Sequence, residues 1–128
     1  MKVEFSLLPE RFAIVRLEGS EAIPAWARGS FVSITRSHSE LSIVCGEGGV
    51  PEHVTGARGW RCLRAEGPFS LDAVGIAASF IGPLAEAKIS SFLVATHDTD
   101  YLLIEGGTLS HALEVLQAAG HNVRVSSD

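Results

Sequence analysis

The chain of 128 residues is long enough for one ordinary domain or for two minimal ones. Hydrophobic residues make up 46% of it and charged residues 20%, a composition that excludes a disordered or low-complexity protein. The formal net charge of -5 and the scattered basic residues argue against a nucleic-acid partner, because Lys and Arg supply most of the affinity for phosphates.

The cysteines and the apolar stretches predict a cytoplasmic protein. Cys45 and Cys62 fit neither a paired metal site nor a disulfide-rich secreted scaffold, so we expect both to be reduced and buried. Charged residues interrupt the first dozen positions, so no secretory leader is expected there. The longest apolar stretch, over 73–85, is too short to span a bilayer, and no membrane partner is expected.

The first predicted elements are a β-prone run over 12–17 and a short helix over 23–27. Two more strands follow over 31–35 and 41–45, separated by the polar residues 36–39. Two short β-prone runs on either side of a polar turn predict a hairpin. Strand, helix, strand, strand is therefore the expected order.

The next segment repeats this order with a longer helix. A strand is predicted over 60–65, and Asp72 is the expected N-cap of a helix that runs towards Lys88. Pro83 should kink or restart this helix. A second hairpin is expected from strands within 92–104.

The last predicted elements are a helix and a strand. Thr108 is the expected N-cap of this helix, and Gly120 is expected to close it. Val123 and Val125 alternate with polar neighbours, which predicts a terminal strand.

Sequence echoes in a constant order predict an internal duplication. In chain order, residues 16–19 are similar to residues 64–67 at an offset of 48 residues. Residues 30–35 are similar to 91–96 at an offset of 61, and residues 47–49 are similar to 105–107 at an offset of 58. We therefore expect two halves, 1–58 and 59–128, of the ferredoxin-like βαββαβ type. This is an α+β fold with antiparallel sheets and helices on one face. Phe31 and Phe92 should occupy matching strand positions in the core.

The second half resembles the ACT domain family through its residues Gly67–Ile76, Pro83–Ile89 and Ala95–Ile104. More narrowly, the chain is similar to the paired ACT domains of the aspartokinase type and of the cytosolic arginine sensors of the CASTOR group. The resemblance covers residues 60–125 well and the first half loosely. It implies a regulatory or sensor module that binds an amino acid at an interface between ACT units, commonly as a homodimer, and that has no catalytic activity. Unlike in the aspartokinases, no kinase domain is expected in these 128 residues.

A free amino acid carries a carboxylate and an ammonium group, and the second half offers a partner for each. The helix expected to begin at Asp72 would present free N–H groups at Val74, Gly75 and Ile76 to the carboxylate. Gly75 would let the ligand approach without a Cβ in the way, and its alternative role is to relieve crowding between helix and sheet.

Asp100, at the mouth of the second hairpin, is the expected partner of the ammonium group or of a cationic side chain. In the family resemblance this position is the acidic residue that faces a basic ligand. The alternative is a turn aspartate that bonds its own backbone, which is the favoured interpretation for Asp98. Ser39 is expected to take the place of Asp100 in the first half. The full predicted ligand-binding set is Ser70, Leu71, Asp72, Val74, Gly75, Ile76, Thr96, His97, Asp98, Thr99 and Asp100.

No metal site, cofactor or catalytic site is predicted. His97 and Asp98 would point to opposite faces of a strand, and no second cluster completes a metal shell. No nucleophile stands beside an orienting base, and no phosphate-binding or dinucleotide motif is present. The main competing class is a protein-interaction or structural domain that kept the fold and lost its ligand. A hydrolase of the acylphosphatase type is a weaker alternative.

Overall fold

The computed structural model describes residues 1–125. Its strands and helices follow the predicted order, except that a strand is added at the start and the helix expected over 23–27 does not form. The strands are β1 (Glu4–Leu7), β2 (Phe12–Leu17), β3 (Ser33–Arg36), β4 (Leu41–Gly46), β5 (Gly56–Ala65), β6 (Phe92–Ala95), β7 (Asp100–Glu105) and β8 (Asn122–Val125). The helices are α1 (Ile76–Glu86) and α2 (Leu109–Ala118), with 3-10 turns over Glu47–Gly49 and Gly106–Thr108. No helix in this part of the chain is long and apolar enough to cross a membrane.

The chain divides into two units. The smaller unit is Glu10–Trp60, and the larger unit joins Met1–Pro9 to the chain from Arg61 onward. Strand β5 therefore begins in the smaller unit and ends in the larger one.

The smaller unit is built on an antiparallel sheet in the order β3, β4, β2, β5. Alternate side chains of β2 and β4 point into its core, as the two-residue period of a strand requires. The buried members of this core are Ala13, Val15, Leu41, Ile43, Cys45 and Val50. Cys45 and Cys62 are both buried and reduced, as predicted.

The prediction of a helix over 23–27 is wrong. This segment forms a single turn in which the Ala27 N–H donates to the Pro24 carbonyl at 3.2 Å. A helix of one turn fixes several backbone angles for very few hydrogen bonds. Gly29, with a φ of 148°, adopts a backbone conformation that cannot continue a helix.

The larger unit has the sheet order β6, β7, β5, β1, β8. The succession β5, α1, β6, β7, α2, β8 is the predicted βαββαβ unit and confirms the α+β, ferredoxin-like fold class. Its core combines side chains from the strands and both helices. The large buried ones are Phe5, Leu63, Phe80, Leu84, Leu102, Ile104 and Leu116.

Strand β1 is the unpredicted addition. It lies between β5 and β8, antiparallel to β5 and parallel to β8. Phe5 is 1% exposed and meets Phe80 of α1 edge to face, with the ring centroids 5.1 Å apart. Burial of such a side chain is worth roughly 1.5–3 kcal/mol, which explains why the start of the chain joins this sheet.

Helix α1 begins at Ile76, so the predicted N-cap at Asp72 is wrong. Gly75 has a φ of 84°, which excludes it from the helix and stops the helix from extending towards Asp72. The Asp72 carboxylate instead accepts the Ser70 hydroxyl, and the Ala73 N–H donates to the Ser70 carbonyl at 3.0 Å. Residues 70–73 are therefore a separate turn before the helix.

Pro83 lies inside α1, which continues through it to Glu86 without a restart. Proline has no N–H, so the carbonyl four residues earlier, that of Ser79, lacks its helical partner. His121 supplies the substitute, with Nε2 2.8 Å from the Ser79 oxygen. Because His121 Nδ1 accepts the Val3 N–H at 2.9 Å, the ring hydrogen is on Nε2 and donates to Ser79.

Helix α2 has the predicted ends. Gly120 closes it with a φ of 98°, and the His121 N–H donates back to the Leu116 carbonyl at 3.0 Å. Thr108 occupies the N-cap position, but its hydroxyl donates to the Glu105 carbonyl instead of capping the helix.

The two hairpins correspond at a single offset of 59 residues, which relates β3 to β6, β4 to β7 and one 3-10 turn to the other. In both turns the first residue donates its N–H to the carbonyl three positions later, Ser37 to Glu40 and Thr96 to Thr99. The hydrogen bonds of the turns therefore show which residues of the two hairpins correspond. The predicted offset of 61 residues for the strands is wrong.

This correction changes which residues are equivalent. Phe92 opens β6, whereas Phe31 precedes β3 and is buried against Phe12. The position of Asp100 corresponds to Leu41, because each opens the second strand of its hairpin. The predicted equivalence with Ser39 is also wrong.

Candidate ligand-binding site

A cavity of about 370 Å³ lies in the larger unit, between the start of α1 and the turn from β6 to β7. Small-molecule sites span about 300–1,000 Å³, so this cavity suits a small metabolite. Its lining residues are Phe69, Ser70, Leu71, Ala73, Gly75, Ile76, Ala77, Ala78 and 95–100.

The predicted site residues come together around this cavity, with two exceptions. Asp72 and Val74 do not line it, and Val74 is 88% exposed. Both lie in the segment before α1, which the sequence analysis placed inside the helix. The lining residues that the sequence analysis missed are Phe69, Ala73, Ala77, Ala78 and Ala95. A correctly placed helix start at Ile76 would have predicted Ala77 and Ala78 as lining residues.

The first turn of α1 forms one end of the cavity. The first N–H groups of a helix have no partner within it, and their dipoles favour an anion. The earliest hydrogen bond into α1 runs from the Ser79 N–H to the Gly75 carbonyl at 3.1 Å. Among the described residues no side chain caps this end, and no acidic residue lies in its first turn. The N–H groups of Ile76, Ala77 and Ala78 are therefore available to a carboxylate.

The turn at the other side of the cavity is held by its own hydrogen bonds. Thr96 donates its N–H to the Thr99 carbonyl at 2.8 Å, and the Thr99 hydroxyl donates to the Ala65 carbonyl at 2.6 Å. The Phe69 N–H donates to the Asp98 carbonyl at 2.7 Å. Gly67 packs so closely that a Cβ there would lie 2.9 Å from the same oxygen. These contacts fix the cavity walls relative to one another.

Asp100 is a half-buried carboxylate on the cavity wall. Burial raises its pKa, and no charge or hydrogen bond acts in the opposite direction. Within residues 1–125 its carboxylate has neither an ion pair nor a hydrogen bond, so it is not a turn aspartate bonded to its own backbone. It is suited to receive a cation.

Asp98 and His97 are exposed and interact with each other. The Nδ1 of His97 lies 2.9 Å from a carboxylate oxygen of Asp98. Asp98 therefore already has a neighbour of its own, unlike Asp100. Over residues 1–125 no three His, Cys, Asp or Glu side chains are grouped as a metal ion would require.

This fold defines a ferredoxin-like α+β domain, and sequence comparison gives the family. A family model for the ACT domain matches residues 56–118, and a model described as an N-terminal domain matches residues 10–53. Residues 56–118 therefore belong to the ACT domain family.

The chain is similar to several known proteins. It is 41% identical to a protein from Agrobacterium tumefaciens whose crystal structure matches it with a TM-score of 0.93, over 100% of this chain and 96% of that one. It is 39% identical over 59 residues to the human cytosolic arginine sensor for mTORC1 subunit 1, a match that covers 45% of this chain and 18% of the sensor. The chain therefore spans less than a fifth of this curated relative.

A more distant likeness shows the fold alone. Escherichia coli aspartokinase III, solved in complex with aspartate and ADP, is 11% identical and has a TM-score of 0.63. The match covers 90% of this chain and 32% of the aspartokinase chain.

Proposed function

We propose that this chain is a regulatory module that binds a free amino acid in the cavity of the larger unit and catalyses no reaction. One observation carries the proposal: an uncapped helix start and an unpaired carboxylate, that of Asp100, line the same cavity. These groups complement the two charges that every free amino acid carries. The similarity to an arginine sensor supports the same class of ligand.

The ligand carboxylate would accept the N–H groups of Ile76, Ala77 and Ala78, where the helix dipole contributes about 0.3–1 kcal/mol. The ammonium group or a basic side chain would donate to Asp100, a charge-assisted hydrogen bond of roughly 1.5–3 kcal/mol. The remaining members of the predicted set would surround the ligand from the turn over 96–99 and from Ser70, Leu71 and Gly75.

We also propose that the chain is a tandem pair of ACT-like halves, 1–58 and 59–128, in which β1 completes the sheet of the second half. The uniform offset of 59 residues between the hairpins supports this duplication. The first half would be the degenerate one, because it lacks a helix between β2 and β3.

The proposed working form is a cytoplasmic homodimer that holds the ligand between the ACT units of two copies. Leu71 lines the cavity and is 75% exposed, and Val74 next to it is also exposed. A second copy over this edge would bury both aliphatic side chains, and their removal from water favours association. Light scattering with and without ligand tests this form, and a strictly monomeric mass in both cases would contradict it.

A thermal-shift screen of the common amino acids tests the binding proposal. A ligand that binds only the folded state stabilises it by about 2.7 kcal/mol at a hundredfold excess over its Kd. We expect a saturable shift with one or a few amino acids, which Asp100→Asn removes.

The matched control is Glu105→Gln, which neutralises an exposed carboxylate at the far end of the same strand. It should keep the full ligand response. A response that survives Asp100→Asn would place the site elsewhere. Absence of any response would favour the competing class, an interaction domain without a ligand.

A further inference from the structure

The smaller unit has a cavity of its own at the corresponding hairpin turn. It is an open surface pocket with a volume of about 520 Å³, lined by Gly19 and by the exposed side chains of Ser20, Arg36, Ser37 and His38. Its lining residues come from two segments: the start of the loop after β2, and the end of β3 with the turn that follows it.

A glycine packs against the hairpin turn in both cavities. A Cβ on Gly19 would lie 2.7 Å from the His38 carbonyl oxygen, and one on Gly67 would lie 2.9 Å from the carbonyl oxygen of Asp98, which corresponds to Ser39 at the offset of 59. In both turns a hydroxyl accepts the N–H three positions later, Ser37 from Glu40 at 3.2 Å and Thr96 from Thr99 at 3.3 Å. The turn and the glycine contact therefore recur in the smaller unit, whereas residues 18–32, all of them described, form no counterpart of α1.

Each of these two glycines is preceded by an arginine and a glutamate that form an ion pair. Arg16 and Glu18 are 2.9 Å apart, and Arg64 and Glu66 are 3.2 Å apart. Arg16 also donates to the Ser39 carbonyl at 2.8 Å, which fixes the hairpin turn to β2. Glu18 is therefore engaged in an ion pair with Arg16 and does not line the cavity.

The lining has the opposite electrostatic character from that of the amino-acid cavity. At the offset of 59, Arg36 stands in the place of Ala95, and the buried Leu41 stands in the place of Asp100. The carboxylate is thus replaced by a hydrocarbon side chain, and a guanidinium is added. No acidic residue lines this cavity.

The donors that remain are suited to an oxyanion. Arg36 gives one N–H to the Gly19 carbonyl, which orients the guanidinium and leaves further N–H groups for a planar, two-pronged contact. The Ser37 hydroxyl accepts the Glu40 N–H and lies 3.3 Å from the Ser39 hydroxyl, so it can donate its hydrogen to an anion when Ser39 is the donor between the two hydroxyls. Ser20 adds a hydroxyl, and His38 adds an imidazole that donates from at least one nitrogen.

We propose that this cavity, which we call the anion pocket, is a second ligand site that binds a small molecule through a carboxylate or phosphate group. The site is independent of the amino-acid cavity, with Arg36 as its main specificity residue. Its ligand would bind whether or not the larger unit binds an amino acid.

The test is an NMR titration of the amide signals of the full chain with inorganic phosphate and with succinate, at constant ionic strength set by sodium chloride. We expect saturable shifts at Gly19, Ser20, Ser37 and His38. Saturation by phosphate alone identifies a phosphate group, saturation by succinate alone identifies a carboxylate, and either supports the proposal. Equal shifts with chloride alone, or no saturation with either probe, would overturn it.

Variants separate this site from the other one. Arg36→Gln should weaken binding at least tenfold, and Arg36→Lys should weaken it less because the charge remains but the planar fork is lost. The matched control is Arg11→Gln, which removes an exposed arginine of the same unit that does not line the anion pocket. This variant should bind like the unmodified chain. Asp100→Asn should also leave this titration unchanged. Unchanged binding by Arg36→Gln, with its amide spectrum intact, would refute the assignment.

Discussion

At the scale of single residues, Asp100 combines burial with the lack of a counter-charge. A carboxylate in this environment is destabilised in its charged form, which raises its pKa. A bound cation would relieve that cost, so the same property that weakens the free protein favours ligand binding. Sequence placed this residue at the hairpin mouth, but only the structure shows that nothing in the described chain pairs with it.

The pH dependence of stability should report this carboxylate. A pKa raised in the folded state means that the folded chain holds its proton to higher pH than the unfolded chain, so Asp100 lowers stability as pH rises through that interval. Asp100→Asn should therefore gain stability over the unmodified chain as pH rises from acid to neutral. Urea denaturation across this range measures the difference, and a gain that is larger at acid pH would contradict the account.

Ligand affinity should change with pH in the opposite direction. Protonation of Asp100 removes the charge that pairs with the cationic group of an amino acid, and the raised pKa places this loss above the ordinary aspartate range. Calorimetric titration at successive pH values should show affinity falling on acidification. Asp100→Asn should have weak affinity at every pH, and a profile that persists in this variant would exclude Asp100 as its source.

Gly67 is a residue whose role no sequence pattern revealed. Gly67→Ala would place a Cβ 2.9 Å from the Asp98 carbonyl oxygen and push the turn away. We expect a loss of about 1–3 kcal/mol in the free energy of unfolding, together with weaker ligand binding. Gly82→Ala is the control, because a Cβ in that helical position meets nothing within 4 Å. It should leave stability equal or raise it by roughly 0.5–1 kcal/mol.

At the scale of elements, α1 shows both what sequence could predict and where it failed. Its apolar spacing indicated a helix, and its end lies near the expected place. The sequence analysis placed its start too early because Asp72 has a side chain typical of an N-cap. The left-handed backbone of Gly75 instead sets the start of the helix at Ile76. The hydrogen bond from His121 to Ser79 was also unpredictable, since it joins segments 42 residues apart.

The pair of His121 and Pro83 should behave as a coupled unit. His121→Phe leaves the Val3 N–H and the Ser79 carbonyl without partners, which should cost roughly 1–3 kcal/mol for each buried group. Pro83→Ala supplies the missing helical N–H to Ser79. It should therefore stabilise the His121→Phe variant more than the unmodified chain. A double-mutant cycle from urea denaturation tests this, and simple additivity would count against it.

At the scale of the whole molecule, the strands inside each unit were largely predictable, and the pairing of the chain ends was not. Phe5 and Leu7 alternate with polar residues, but four residues are a weak signal. The partner strand β8 lies near the other end of the chain. The hairpins were found from local pattern, while their mutual offset needed the hydrogen bonds of the turns. Long-range pairing has no signature within a short window of sequence.

Strand β1 should be essential to the larger unit. Deletion of residues 1–9 removes three buried side chains, Val3, Phe5 and Leu7, and leaves β8 without its partner. We expect the amide spectrum of the larger unit to collapse, because loss of one buried Phe alone costs about 3–5 kcal/mol. A spectrum with well-dispersed signals for β8 after the deletion would show that β1 is dispensable.

The most direct measurement of the central claim is an NMR titration of the full chain with each common amino acid, followed at the backbone amides. The account predicts that at least one amino acid gives saturable shifts concentrated at Ile76, Ala77, Ala78 and the turn over 96–100. Saturable shifts confined to other residues, or no saturation with any amino acid at millimolar concentration, would contradict it.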